Sequence, residues 1–185
     1  LACESGAKWI QYRCLTKDET ALLADINVIA EICDDWGVTL IVTDHVQFKG
    51  KADIQGFHIE DMNADFRALR TQLGEEVTIG GSASTIEGLL RLYEEGADYA
   101  GFGPFSLTNT KPNSLTLLGI QGYAAAMASL QGRTGDFPIL AVGGVGINDV
   151  DALMETGIFG IAVSAAINQA DDFRDAYDAF YRKVV

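Results

Sequence analysis

One junction recurs along this chain and restricts its folds more than any other feature: an amphipathic stretch ends at glycine and within a few residues becomes a β-rich run. It occurs at Glu4-Ser5-Gly6-Ala7 before residues 8–13, and at Trp36-Gly37-Val38 before Thr39–Thr43. It returns at Glu95-Gly96-Ala97-Asp98 before Tyr99–Phe102, and at Glu155-Thr156-Gly157-Ile158 before residues 159–163. Glycine takes the left-handed conformation that ends a helix, and a short loop then feeds a buried strand. Further strands are expected at Gly56–Ile59, at residues 77–80 and at Ile139–Val142. Helices are expected near residues 63–72, 118–129, 148–155 and 172–183. Between the first two junctions Leu22, Ile26, Ile29, Ala30 and Cys33 recur at helical spacing behind Thr16-x-x-Glu19, which has the form of a capping box that Ser84-x-x-Glu87 repeats.

Strict strand–helix alternation with apolar strands means a parallel sheet covered by helices, as an open doubly wound sheet or a closed barrel. No G-x-G-x-x-G follows any strand, as a dinucleotide-binding doubly wound sheet would require. Residues 1–5 read as the end of a helix that lacks its preceding strand. The expectation is therefore an α/β fold of the (β/α)8 TIM-barrel type, one domain over residues 1–185, with its first strand upstream of Leu1.

Charge then narrows the ligands. Lys and Arg number 13 against 26 Asp and Glu, a net charge of −13, which leaves no basic stripe for nucleic acid. No apolar run approaches the roughly 20 residues that cross a bilayer, and Leu1-Ala2-Cys3-Glu4-Ser5 lacks the basic flank of a signal peptide, so a cytoplasmic protein is expected. Cys3, Cys14 and Cys33 form no C-x-x-C pair, which argues against zinc or a disulfide framework. An acidic protein can still bind phosphate through local devices: backbone N–H groups, a few placed cations, or a divalent metal.

Barrel enzymes place their chemistry just after the strand ends. Read in order, those positions hold Gln11 and Arg13; Thr43, Asp44 and His45; His58, Glu60 and Asp61; and Ser82. They continue with a long loop carrying Thr108, Thr110 and Lys111, then Gly143 and Gly144, and then Ser164. Gly143-Gly144 can bring backbone N–H groups against phosphate oxygens, or can simply make a tight turn. Asp44 and Asp61 can share Mg²⁺, which takes one or two carboxylates plus phosphate oxygens, although Asp61 equally reads as a helix N-cap. His45 and His58 have no metal-ligand spacing and read as packed or hydrogen-bonded side chains.

The segment Ala97-Asp98-Tyr99-Ala100-Gly101-Phe102-Gly103-Pro104, continuing to Thr108-x-Thr110-Lys111, resembles the most specific stretch of the thiamine phosphate synthase and thiazole tautomerase family. Ile10-Gln11-x-Arg13, Val42-x-Asp44, His58-Ile59 with Glu60-Asp61-Met62, Gly80-x-Ser82-Ala83, Val142-Gly143-Gly144 and Val163-Ser164-Ala165-Ala166-Ile167 extend the resemblance over essentially the whole chain. It implies that a hydroxymethylpyrimidine diphosphate loses pyrophosphate while the nitrogen of a thiazole phosphate attacks its methylene carbon, giving thiamine phosphate. By position it implies Asp44 and Asp61 on Mg²⁺, Arg13 and Lys111 on the leaving pyrophosphate, and Gln11 and Thr43 on the pyrimidine substrate. Thr108, Thr110, Gly143, Gly144, Val163 and Ser164 would hold the thiazole phosphate, with Ser82 at the reacting centre. The partners so implied are small phosphorylated molecules, and a homo-oligomer is left open.

The chain departs from the family pattern at three places. Leu15 stands where the synthases carry a second cation, unless Lys17 reaches back, and Thr43 replaces an Asn. Two residues are absent between the Ile59 and Glu60 matches, which shortens the reach to Asp61 by up to ~7 Å. These departures keep two alternatives in play: a tautomerase-like homologue and a non-catalytic thiazole phosphate-binding protein.

Overall fold

The computed structural model describes residues 1–107 and 116–185. The glycine junctions behave as predicted: Gly6, Gly37, Gly96 and Gly157 have φ between 61° and 93°, each just ahead of a strand. The strands are β1 (Trp9–Tyr12), β2 (Thr39–Thr43), β3 (Gly56–Ile59), β4 (Thr78–Ala83), β5 (Tyr99–Phe102), β6 (Ile139–Val142) and β7 (Gly160–Ala162). The helices are α1 (Glu19–Trp36), α2 (Phe66–Leu73), α3 (Ile86–Glu94), α4 (Gly119–Leu130), α5 (Val150–Glu155), α6 (Ala165–Asn168) and α7 (Phe173–Val184). Short 3-10 turns, Val46–Phe48 and Ile147–Asp149, follow β2 and β6.

All neighbouring strands pair in parallel in the order β1-β2-β3-β4-β5-β6-β7. A doubly wound sheet reverses its strand order at a switch point, so this unbroken order excludes it. The sequence expectation placed seven strands of an eight-stranded barrel in this chain, with the first strand upstream of Leu1, and seven parallel strands in one sheet are what the described residues form. Closure of that barrel needs eight strands, and here β1 and β7 are the two edges of a seven-stranded sheet. Residues 1–5 form a hydrogen-bonded turn (Ser5 N to Leu1 O, 2.9 Å) closed by Gly6 N to Cys3 O (3.0 Å) and Ala7 N to Ala2 O (3.1 Å), the hydrogen-bond pattern of the expected helix end.

Helix starts shift slightly from the expected capping boxes. Asp18, not Thr16, caps α1 by accepting from Ala21 N at 2.9 Å, and Thr85, not Ser84, caps α3 by accepting from Gly88 N at 3.1 Å. Both caps have the extended backbone that lets a side-chain oxygen fold back onto the first turn. Asp65 caps α2, so Asp61 is not its N-cap.

Leu22, Ile26, Ala30 and Cys33 of α1 are buried as their spacing requires, and Phe57, Phe66, Phe102, Leu89 and Leu92 fill the layer between sheet and helices. Each such side chain contributes roughly 1.5–3 kcal/mol. At the amino ends of the strands Arg70 of α2 clamps two connections at once. It donates to Gly74 O (3.0 Å) and Val77 O (2.7 Å) before β4, and to Gly96 O (3.1 Å) and Asp98 Oδ2 (2.7 Å) before β5. Among the described residues no helix is long and apolar enough to cross a membrane.

Candidate active site

The carboxyl ends of β1 to β4 gather polar residues that are far apart in sequence. Gln11 of β1 donates from Nε2 to Oγ1 of Thr43 at the end of β2 (2.9 Å), and Thr43 is buried. Arg13, one residue past β1, grips Glu60, one residue past β3, with Nε on Oε1 (2.9 Å) and Nη2 on Oε2 (3.1 Å). The pair is half-buried, with side-chain exposures of 30% and 20%, so solvent screens it only in part.

Asp44 follows β2 with φ 55°, and His45 follows it with φ 41°, two successive non-glycine residues in the left-handed region. Such backbone costs about 1–3 kcal/mol per residue and concentrates where function demands it. Asp44 Oδ1 accepts from Glu60 N at 3.0 Å, and Asp44 N donates to His58 O at 2.8 Å, so the strained turn is locked onto β3. His45 stacks on Phe48, with ring centroids 5.6 Å apart.

Asp61 is exposed and folds onto its own segment, accepting from Asn63 N at 2.9 Å. With Asp44 it borders a cavity of about 410 Å³ that also touches Val46, Ile59, Ala68 and Leu69. Ile59 and His58 point to opposite faces of β3, so this cavity reaches toward the helix side of the sheet. Among the described residues no three His, Cys, Asp or Glu side chains converge as a metal cage.

His58 is buried and joins two strands to its own: Nδ1 lies 3.0 Å from Tyr99 Oη and Nε2 lies 3.0 Å from Ser82 Oγ. The expectation of a hydrogen-bonded histidine therefore holds. Burial also pushes the Tyr99 phenol well above its ordinary pKa.

The opposite flank is built from backbone. Gly143 and Gly144 have φ of 84° and 74°, and their carbonyls accept from Ser106 N (2.9 Å) and Ser106 Oγ (3.0 Å). A Cβ on Gly144 would stand 2.5 Å from Leu107 O, so the β6 connection is zipped to the β5 connection at a place where only glycine fits. Val142 pairs with Ala162, which sets Gly143 level with Val163 on the next strand. Ser164, exposed, precedes α6, and its Oγ accepts from Asn168 Nδ2 at 3.3 Å. Thr108, Thr110 and Lys111 lie outside the described residues.

Lys17 does not replace the missing cation, because it is paired with Asp25 of α1, which also accepts from the Tyr12 hydroxyl at 2.7 Å. The hydrogen bond from Lys17 holds the Asp25 carboxyl below its usual range. Leu15 is 68% exposed, so that position supplies no charge to the mouth. Sequence reasoning assigned no role to two residues of the network, Glu60 and Tyr99. Glu60 stood among the strand-end residues without a stated partner. Tyr99 begins a strand, away from the end where chemistry was sought, and its signal was the Gly80-Gly81 doublet inside β4, since strand glycines mark a close approach.

Comparisons with known proteins bear on the family and the fold of this chain. The family model described as thiamine monophosphate synthase matches residues 1–167. The thiamine-phosphate synthase of Bacteroides thetaiotaomicron is 36% identical over 172 residues, covering 93% of this chain and 82% of that protein. Thiamine-phosphate synthase 2 of Streptococcus pneumoniae is 33% identical over 186 residues, covering 99% and 84%. The solved thiamine phosphate pyrophosphorylase from Pyrococcus furiosus superposes with a TM-score of 0.86 at 23% identity over 99% of this chain and 85% of that one, a likeness of fold. On the family match and the extent of these identities, the chain belongs to the thiamine monophosphate synthase family.

Proposed function

We propose that this protein is a thiamine-phosphate synthase, joining hydroxymethylpyrimidine diphosphate to thiazole phosphate with release of pyrophosphate. The observation that carries the proposal is the interlocked set Gln11, Arg13, Thr43, Asp44, Glu60 and Ser82 at the carboxyl ends of four adjacent strands. The set offers donors, a cation and carboxylates. The reaction breaks the bond from the methylene carbon to the diphosphate oxygen and forms a bond from that carbon to the thiazole nitrogen. Its chief demand is stabilisation of negative charge on the leaving group, for which preorganised donors and cations serve.

Arg13, held by Glu60, would meet that charge, with Lys111 as the second cation. Gln11 and Thr43 would seat the pyrimidine, and Ser82 would face the reacting oxygens. The N–H groups of Gly143 and Gly144, with Val163, Ser164, Thr108 and Thr110, would hold the thiazole phosphate, since the carbonyls of the glycine pair are already engaged by Ser106. Asp44 and Asp61 would hold Mg²⁺: each commits Oδ1 to a backbone N–H, and their carboxylates are hard oxygen donors for a hard cation. When bound, the ion would offset charge on the diphosphate.

The proposal includes a closed (β/α)8 barrel as a single domain, for which the unbroken strand order and the two open edges are the support. It also includes cytoplasmic placement, in keeping with small phosphorylated substrates. The test is incubation with both substrates and Mg²⁺, scored for thiamine phosphate, with and without a chelator. Product that needs the metal is expected. Binding of thiazole phosphate without coupling would overturn the proposal in favour of a tautomerase-like or purely binding homologue, the alternative that exposed Leu15 and paired Lys17 favour.

A further inference from the structure

A buried chain of hydrogen bonds lies behind Ser82. Tyr99, 5% exposed, begins β5 inside the curve of the sheet, where it meets Trp9 edge-on with ring centroids 5.4 Å apart. Its ring occupies space that only glycine leaves open, because a Cβ on Gly80 would stand 2.0 Å from Tyr99 Cζ. Its hydroxyl makes one hydrogen bond among the described residues, to His58 Nδ1.

That single contact determines the polarity of the chain. If Nδ1 carried hydrogen and donated to the phenol oxygen, the buried phenolic hydrogen would lack an acceptor, a loss of roughly 1–3 kcal/mol. The phenol therefore donates and Nδ1 accepts. The imidazole hydrogen then resides on Nε2 and is given to Ser82 Oγ, 3.0 Å away. With its oxygen occupied by that donor, the Ser82 hydroxyl keeps its own hydrogen to give.

Ser82 is half-buried next to the carboxyl end of β4, and the residue paired with it on β5 is Gly101, so no neighbouring side chain from β5 covers it. An O–H backed by an N–H donor suits an oxygen that can only accept, as those of a phosphate or diphosphate do. The reverse polarity, with Ser82 donating to Nε2, would make a base-activated hydroxyl, for which the coupling has no use.

We propose that Tyr99, acting through His58, is a positioning residue that makes Ser82 an obligate hydrogen-bond donor to an anionic oxygen of the diphosphate substrate. The identity of the acceptor rests on the proposed function above. The polarity of the chain does not, and the two are tested separately.

The protein has two histidines, so His45→Asn isolates the His58 ring for ¹⁵N NMR. A neutral Nε2–H tautomer in the ligand-free protein, shifted toward a mixture by Tyr99→Phe, is expected. An Nδ1–H tautomer, or one unmoved by Tyr99→Phe, overturns the proposal whether or not the protein makes thiamine phosphate. In turnover, Ser82→Ala is expected to lower kcat about 100-fold, in the range for loss of one preorganised donor. Tyr99→Phe is expected to lower kcat about five- to tenfold, with KM for thiazole phosphate within about twofold. The double variant should be no slower than Ser82→Ala alone. Losses that multiply in the double variant would mean that Tyr99 acts independently of Ser82, which refutes the relay while leaving the synthase reaction standing.

Discussion

Arg13 and Arg70 stand at opposite ends of the same sheet and are treated in opposite ways. At the amino ends Arg70 is saturated: three carbonyls and one carboxylate take its hydrogens, joining α2 to the connections before β4 and β5. At the carboxyl ends Arg13 is held bidentately by Glu60 beside a strained Asp44-His45 turn. The contrast separates a guanidinium used as a structural clamp from one held by a carboxylate at the strand ends, which the proposed function assigns to the leaving pyrophosphate. It also matches the division of labour in barrels, where one end supports stability and the other chemistry.

The sharpest break of this comparison is a pair of alanine variants. Arg13→Ala should lower kcat about 10²–10³-fold, as expected for loss of one charge-stabilising group, with a melting temperature near that of the parent. Arg70→Ala should do the reverse, costing about 2–4 kcal/mol in chemical denaturation by leaving carbonyls without donors, while kcat holds. Equal losses of stability in both variants would erase the distinction. Next in size, Glu60→Gln should lower kcat roughly tenfold by loosening the aim of Arg13, with little change in KM for thiazole phosphate. Thr43→Val removes one hydrogen bond to Gln11 and should raise KM for the pyrimidine substrate about two- to tenfold, with Thr43→Ser restoring it.

The smallest effect concerns thiols at the two ends. Hydrogen bonds to Thr16, first from its backbone, lower the pKa of Cys14 beside Arg13, whereas burial pushes that of Cys33 at the end of α1 up to about 11. The thiolate is the reactive form, so near pH 8 iodoacetamide should modify Cys14 first and leave Cys33 intact, as read by mass spectrometry. Faster modification of Cys33 would show that the amino end opens more readily than its packing implies.

Much of the fold could be read directly. The glycine junctions placed strands to within a residue or two, because a helix that must stop and a strand that must be buried each leave a local mark. Helix caps were less legible: Asp18 and Thr85 displaced Thr16 and Ser84, since several adjacent polar residues can each cap and only the backbone angles choose. Of the candidate site, Gln11, Arg13, Asp44 and Ser82 were visible as polar residues at strand ends, and Gly143-Gly144 as a doublet. The contacts that give them direction were not. Gln11 meets Thr43 across 32 residues, Arg13 meets Glu60 across 47, and His58 meets Tyr99 across 41.

The sequence by itself therefore determined the alternation of elements, the acidic character that confines phosphate binding to local devices, and the family. Tertiary structure alone decided which polar groups are partners: that Lys17 belongs to Asp25 rather than to the mouth, that Asp61 is not a cap, and that Tyr99 stands behind Ser82. The physical reason is range. Backbone preference and hydrophobic period act over a few residues and are written locally, whereas a side-chain hydrogen bond depends on positions to within a few tenths of an ångström, set only when distant strands pack in register.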